Sequence, residues 1–440
     1  MKTGSDKPEP ISNSSNNIPR LRRWIQIGAC LIGLLSLGAL VNILLSPAPQ
    51  KPSSDAQDDE PIAPQKSAAT ATLPAAAQAN VAAERHGSAT RATQPTHTSS
   101  LPPPTSALRQ LVGNLVNLEA GAWTEEQVAA WKQNHQQLIK QGSDAVPAIA
   151  EFLAKNTDFD FGDAGKQTLG YTSARTAMID ALAQIGGPVA ELALSDVLRT
   201  TSEPREIAML AQNLEKLNPG IHQAEALDAA RQAFEVMAQG GLQNRDAAPL
   251  FEILQQYGGP GVVSDLQSKI SQWEYYSAIS LARLPDDAGV PALVQLAGDQ
   301  SSAVPGAKAI ALQMLAQLAT QSPDAQAALL QQVRQGKLTA FNWIGLEPLL
   351  AGNQLVFQDS MFDNPLDRVS VDDVKQTHVP FGNQSFYTLP LGALTIEQID
   401  QRSALINELL SATSDPVALQ MLQKAKAELS HRSSQIAATK

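Results

Sequence analysis

Few side chains in this 440-residue chain are spaced for chemistry. Asp158-Phe-Asp160-Phe-Gly162-Asp163 alternates carboxylates as a calcium loop does. A calcium loop of the helix-loop-helix type needs glycine at its sixth position and glutamate at its twelfth. Counted from Asp158 those places hold Asp163 and Leu169; counted from Asn156 they hold Phe161 and Gln167. A solvated acidic loop is therefore the reading preferred over a metal site. Gly162-Asp-Ala-Gly165-Lys166-Gln167 matches a phosphate loop only in part, because the first glycine is misplaced and Gln167 replaces the hydroxyl residue that would face magnesium. There is no Gly-x-Ser-x-Gly elbow and no His-Glu-x-x-His pair. His378, near Asp372 and Asp373, is the one histidine in a functional context, but three residues in an irregular stretch do not make a ligand set. His86 and His97 fall in a low-complexity stretch, and His135 and His222 lie on or beside helices, where a structural role is expected. The expectation is a protein without catalytic residues, metal or cofactor. The alternative is a metal-dependent hydrolase or metal-binding protein built from the 158–163 loop and an insertion at 352–392.

That insertion is the second feature of note. Residues 352–392 have no helical period and contain Pro365, Pro380 and Pro390. They hold five of the chain's 20 aromatics, Phe357, Phe362, Phe381, Phe386 and Tyr387, so the aromatic surface is concentrated here. Residues 354–357 and 384–389 have the composition of short strands. A long non-helical insertion in a helical chain either caps neighbouring elements or forms a lip for a partner. Aromatic anchors are the usual energetic centres of interfaces. On the partner reading, Phe357, His378, Phe381, Phe386 and Tyr387 are the binding residues.

The elements that would position these residues are helices. Ala145, Ile149, Phe152 and Leu153 recur at helical spacing after Asp144, a cap, with Pro147 in the first turn where its missing N–H costs nothing. A second helix is expected from about Ala174 to Ile185, ended by Gly186-Gly187 and Pro188. Helices follow at 188–200, 203–217 and 224–239, after one at 124–140 whose Thr124 and Gln127 form a capping box. Trp273 and Tyr276 continue the spacing of Leu266 and Ile270 and belong to the core, while Trp123 and Trp131 suit an end cap. Thr395/Gln398 and Asp415-Pro416 open two last helices, with Lys424, Lys426, His431 and Arg432 placed to favour the C-terminal dipole of the second.

The first motif returns. Asp144-Ala-Val-Pro147 is answered by Asp246-Ala-Ala-Pro249 and Ala288-Gly-Val-Pro291, and Ala181-Leu-Ala-Gln-Ile185 by Met314-Leu-Ala-Gln-Leu318. Proline spacings of 41 (Pro147 to Pro188) and 42 (Pro249 to Pro291) fit two-helix repeats of ~40–47 residues. With Arg175 and Ala181-Leu182 in the helix after the first motif, this stretch resembles a HEAT-repeat (armadillo-type) alpha-solenoid. The resemblance implies a protein-binding scaffold and specifies no partner. The fold expected is all-α, a solenoid of paired antiparallel helices, with one transmembrane helix and a short β-like insertion near the C-terminus.

Residues 24–45 carry no charge over 22 positions, enough to cross ~30 Å of hydrocarbon. Arg20, Arg22 and Arg23 precede the span, and only Lys51 follows it closely, which orients the N-terminus to the cytoplasm and the body beyond it. The localisation expected is a bacterial inner membrane, single-pass, with a periplasmic body. The first 50 residues carry a charge of +3 and the remainder −14, which disfavours nucleic acid as a partner. Cys30, the only cysteine, lies in the apolar span, so the body needs no disulfide. The organisation read from the sequence is a cytoplasmic tail (1–23), the span (24–45), a Pro/Ala/Ser/Thr-rich linker (46–106), the solenoid (107–351), the insertion (352–392), a helical pair (393–432) and a tail (433–440). The function expected is a membrane-tethered, non-enzymatic scaffold or adaptor for a protein or peptide. A structural subunit of an envelope complex is a further alternative.

Overall fold

The computed structural model describes residues 101–116, 123–242, 245–298, 304–362, 375–377, 384–390, 392 and 394–438. The chain divides into Met1–Gln94, wholly outside that description, and Pro95–Lys440. The expected span at 24–45 and most of the linker therefore lie outside the described residues. No helix among those described is long and apolar enough to cross a membrane.

The described unit is mostly helical, with 17 α-helices. They are α1 (Ser106–Val116), α2 (Glu125–Lys140), α3 (Val146–Leu153), α4 (Gly162–Thr168), α5 (Ala174–Ile185), α6 (Gly187–Leu198), α7 (Pro204–Leu217), α8 (Gln223–Ala238) and α9 (Ala248–Tyr257). There follow α10 (Val263–Lys269), α11 (Glu274–Ala282), α12 (Val290–Gly298), α13 (Pro305–Leu318), α14 (Pro323–Arg334), α15 (Ala340–Leu350), α16 (Ile396–Ala412) and α17 (Pro416–Ala438).

Local chemistry sets many boundaries. Thr124 and Gln127 form the expected capping box on α2, as Thr395 and Gln398 do on α16. Glu203 caps α7 by accepting from the Glu206 N–H, and Gly186, at φ +66°, ends α5. Asp144 departs from its expected part. Residues Gly142–Ala145 tighten into a 3-10 turn, Ala145 takes the cap position of α3, and no side chain caps it. The 158–163 stretch, read from the sequence as a solvated acidic loop, runs into α4 at Gly162. α17 runs to Ala438, past the tail expected from 433.

Packing follows a simple rule. Helices α2, α5, α7, α9, α11, α13, α15 and α17 form a row in which each packs on the next. Helices α1, α3, α6 and α8 make a second row beside its first half, and α12, α14 and α16 beside its second. Between them α10 is tied to α8 by Arg231–Asp265 (2.9 Å) and Lys269–Glu235 (3.2 Å). Alanines such as Ala177, Ala181, Ala230 and Ala311 are fully buried where helices meet, so small side chains allow close approach. Trp273 and Tyr276 are core residues, as their spacing indicated.

A three-stranded antiparallel sheet follows α15, in the order β1 (Asn353–Phe357), β3 (Phe386–Pro390), β2 (Lys375–Thr377). Phe357 faces Phe386 and Val356 faces Tyr387 across the β1–β3 ladder. Alternation splits the strands: Leu355, Phe357 and Phe386 join the helical core, whereas Val356, Tyr387 and Leu389 form a separate cluster.

Candidate partner-binding face

The sheet is fastened to the row of helices by side chains that read its backbone. Gln317 of α13 accepts the Leu355 N–H at 2.9 Å, and Arg283, just after α11, donates to the Leu355 carbonyl at 3.2 Å. The same guanidinium lies 5.7 Å from the centre of the Phe357 ring, which meets Tyr276 edge-on at 5.0 Å. Helix α11 has no local side-chain cap. Gln384, 109 residues later, supplies one by accepting from the Tyr275 and Tyr276 N–H groups at 3.0 and 3.2 Å. The Tyr276 hydroxyl donates to Asp246 at 2.8 Å and accepts from the Ser385 N–H at 2.6 Å.

Beyond β1 the chain continues as a strap, residues 358–362, across α7 and α9. Arg205 pairs with Asp359, and Gln212 donates to the Met361 carbonyl. Glu252 of α9 accepts from the Ser360 hydroxyl and from the Met361 N–H, the latter at 2.6 Å. Phe362 meets Tyr257 edge-on at 5.8 Å. Burial under the strap pushes the Glu252 carboxyl up to about 7, against the hydrogen bonds that favour its charged form. Burial likewise lifts Asp246 to about 6, opposed by its bonds from the Ala248 N–H and the Tyr276 hydroxyl. It also raises the Tyr276 phenol, with the Asp246 charge adding to it. This arrangement holds a bent, non-helical backbone through the N–H and carbonyl of Met361 and the side chains of Asp359 and Ser360.

Of the residues expected to bind a partner, Phe357, Phe386 and Tyr387 are buried in the sheet and its contacts. Phe386 stacks on Tyr275 at 5.0 Å. His378 and Phe381 lie outside the described residues, so the five are not seen together. Rather than staying over the last helices, the insertion reaches back to α7. The acidic loop at 158–163 serves its own backbone: Asp158 accepts from the Phe159 and Arg175 N–H groups, and Asp160 from the Gly162 N–H. The phosphate-loop-like stretch forms the start of α4. No group of three His, Cys, Asp or Glu side chains is placed to hold a metal among the described residues. His135 is buried, with Nε2 3.2 Å from the Ala177 carbonyl and its ring stacked on Trp131.

Sequence reasoning missed Arg205, Gln212, Glu252 and Asp359, which come together only through long-range packing. One signal was present. Glu252 stands three residues after Pro249, where the echoes carry Ala150 after Pro147 and Val294 after Pro291. A carboxylate on an otherwise apolar stripe asks for a partner.

No family model and no curated protein matches this chain.

Proposed function

We propose that the protein is a membrane-tethered scaffold or adaptor, a HEAT-like solenoid that holds a protein or peptide partner outside the cytoplasm. The observation that carries this reading is a non-helical chain segment, residues 358–362, seated on a row of helices, its backbone held by helix side chains. Repeated helical rows generate long surfaces suited to such ligands. Support for the tether comes from the uncharged 24–45 stretch and the arginines before it. Support for a protein rather than a nucleic acid comes from the acidic body, which repels phosphate backbones.

The test is in-cell photocrosslinking of the full-length protein followed by mass spectrometry, alongside reporter fusions at the C-terminus. The expected result is one reproducible protein partner and a reporter active only outside the cytoplasm. A chain that captures no protein reproducibly would overturn the adaptor reading, and a cytoplasmic C-terminus would overturn the localisation.

A further inference from the structure

The strap is the part of the insertion that the sheet does not need. The β1–β3 ladder ends with Phe357 opposite Phe386 and one more bond, from the Gln358 N–H to the Ser385 carbonyl at 3.0 Å. Past that point the chain leaves the sheet, and Asp359, Ser360, Met361 and Phe362 are only half-buried. Yet beneath them the helices hold a matched set of groups. Arg205 offers a cation to a carboxylate, and Glu252 and Gln212 take the N–H and the carbonyl of one and the same residue. Tyr257 presents its ring to an aromatic. Reading both backbone groups of a single residue, Met361, fixes the position of the backbone there whatever chain supplies it. Glu252 is only 5% exposed, and each of its two carboxylate oxygens accepts a hydrogen bond from the strap. A buried carboxylate is a costly way merely to pack a helix, because an apolar residue serves the same position in the echoes.

We infer that the α7–α9 face under the strap is a recognition face for a short non-helical segment of a partner protein. That segment carries an acidic residue, a hydroxyl residue and two bulky apolar residues in succession, and the strap is the face's resident occupant. The inference rests on the adaptor reading and gives it a site. Charge complementarity selects the acidic residue through Arg205, and Tyr257 selects the aromatic end. A tethered strap competes at an effective concentration on the order of mM, so a partner gains access by binding more tightly than that or by loosening the strap first.

The probe is a fluorescent synthetic peptide with the sequence of residues 356–362, added to the full chain in detergent. The strap is loosened by Asp359→Ala with Phe362→Ala, which leaves the helix face intact. Anisotropy should show the peptide binding at least tenfold more tightly to the loosened chain than to the wild type. Adding Glu252→Ala or Arg205→Ala to the loosened chain should remove that gain. Equal binding to both chains, or a gain indifferent to Glu252 and Arg205, would overturn the inference. If the double variant does not fold, excess peptide on the wild-type chain must speed hydrogen exchange at the Met361 and Phe362 amides, and unchanged exchange would overturn it. Dimerisation of the loosened chain by light scattering would overturn the partner assignment in favour of a second copy. Failure of the adaptor reading has a different signature: crosslinking finds no cellular partner while the peptide still binds the loosened chain.

Discussion

Arg175 and Glu206 make a two-pronged ion pair inside the protein, with Nε 2.6 Å from Oε1 and Nη2 3.0 Å from Oε2. Both residues are buried, Arg175 on α5 and Glu206 on α7, so the pair joins neighbours in the long row. The guanidinium also donates to the Leu153 carbonyl at the end of α3 (2.8 Å), and the Thr201 hydroxyl donates to Glu206 at 2.8 Å. One side chain thus ties three helices, α3, α5 and α7. Arg402 makes the same kind of bond from α16 to the Leu349 carbonyl of α15, at 3.0 Å.

Removing one partner of such a pair strands the other charge. Arg175→Ala leaves Glu206 buried without its cation, and a loss of about 3–5 kcal/mol is expected. Replacing both, with Arg175→Met and Glu206→Leu, removes the charges together and should cost less than the single change. Denaturant titration of the three chains checks this. A double variant as unstable as Arg175→Ala would mean that the pair's geometry, not its charge balance, is what matters.

Gly289 marks a point where the returning motif differs from its first occurrence. The motif Asp144-Ala145-Val-Pro147 returns as Ala288-Gly289-Val-Pro291, with glycine in the alanine's place. A Cβ at Gly289 would sit 2.1 Å from the Leu281 carbonyl oxygen, a backbone atom that cannot swing aside. Gly289→Ala should therefore lower stability by about 1–3 kcal/mol, as overpacking does. Gly298→Ala, which meets nothing within 4 Å, is the control and should shift the midpoint little. A thermal midpoint unchanged in Gly289→Ala would show that α11 and α12 separate freely at this corner.

His222 bridges two carboxylates, with Nε2 2.9 Å from Glu191 and Nδ1 2.9 Å from Glu225. Burial alone would lower its pKa, but the hydrogen bonds and charges of the two glutamates outweigh it and raise it. A raised histidine contributes stability that is complete below its free value of 6.5 and is lost as pH climbs through the folded value. His222→Gln should flatten that part of the stability profile, and imidazole nitrogen shifts should show both nitrogens protonated at pH 6.5. A neutral ring at that pH would remove the argument.

Local chemistry was legible in the sequence, and long-range chemistry was not. The limits of α5, the Thr124 and Thr395 capping boxes and the strands near residues 354 and 386 follow from residues within a few positions of one another. Lys424, Lys426, His431 and Arg432 look like C-terminal dipole residues only if α17 stops near them. It continues to Ala438, and Arg432 instead donates to Asn353, the first residue of β1, at 3.0 Å. The aromatics of the insertion drew notice because they are rare and clustered, but their composition says nothing of which way they face. Gln384 capping α11 and Glu252 holding Met361 join residues about 109 positions apart, a separation that no local pattern encodes.

Glu252 also makes the strap's hold depend on pH. Its carboxyl is raised from 4.5 to about 7, so the folded protein binds a proton across this window that the unfolded chain has released. Stability linked to this group is then complete below about pH 4.5 and falls as pH rises toward 7, by about 3 kcal/mol in all. Asp246, raised from 3.8 to about 6, pulls in the same direction over a lower range. Glu252→Gln keeps an oxygen to accept the Met361 N–H but has no proton to gain. In that variant the decline between pH 5 and pH 7 should shrink, while the part owed to Asp246 remains. Exchange of the Met361 and Phe362 amides should follow the same course, faster at pH 7 than at pH 5 after correction for intrinsic rates, in the wild type only. An identical pH profile in wild type and Glu252→Gln would show that the carboxylate stays ionised beneath the strap, held by its hydrogen bonds against the cost of burial.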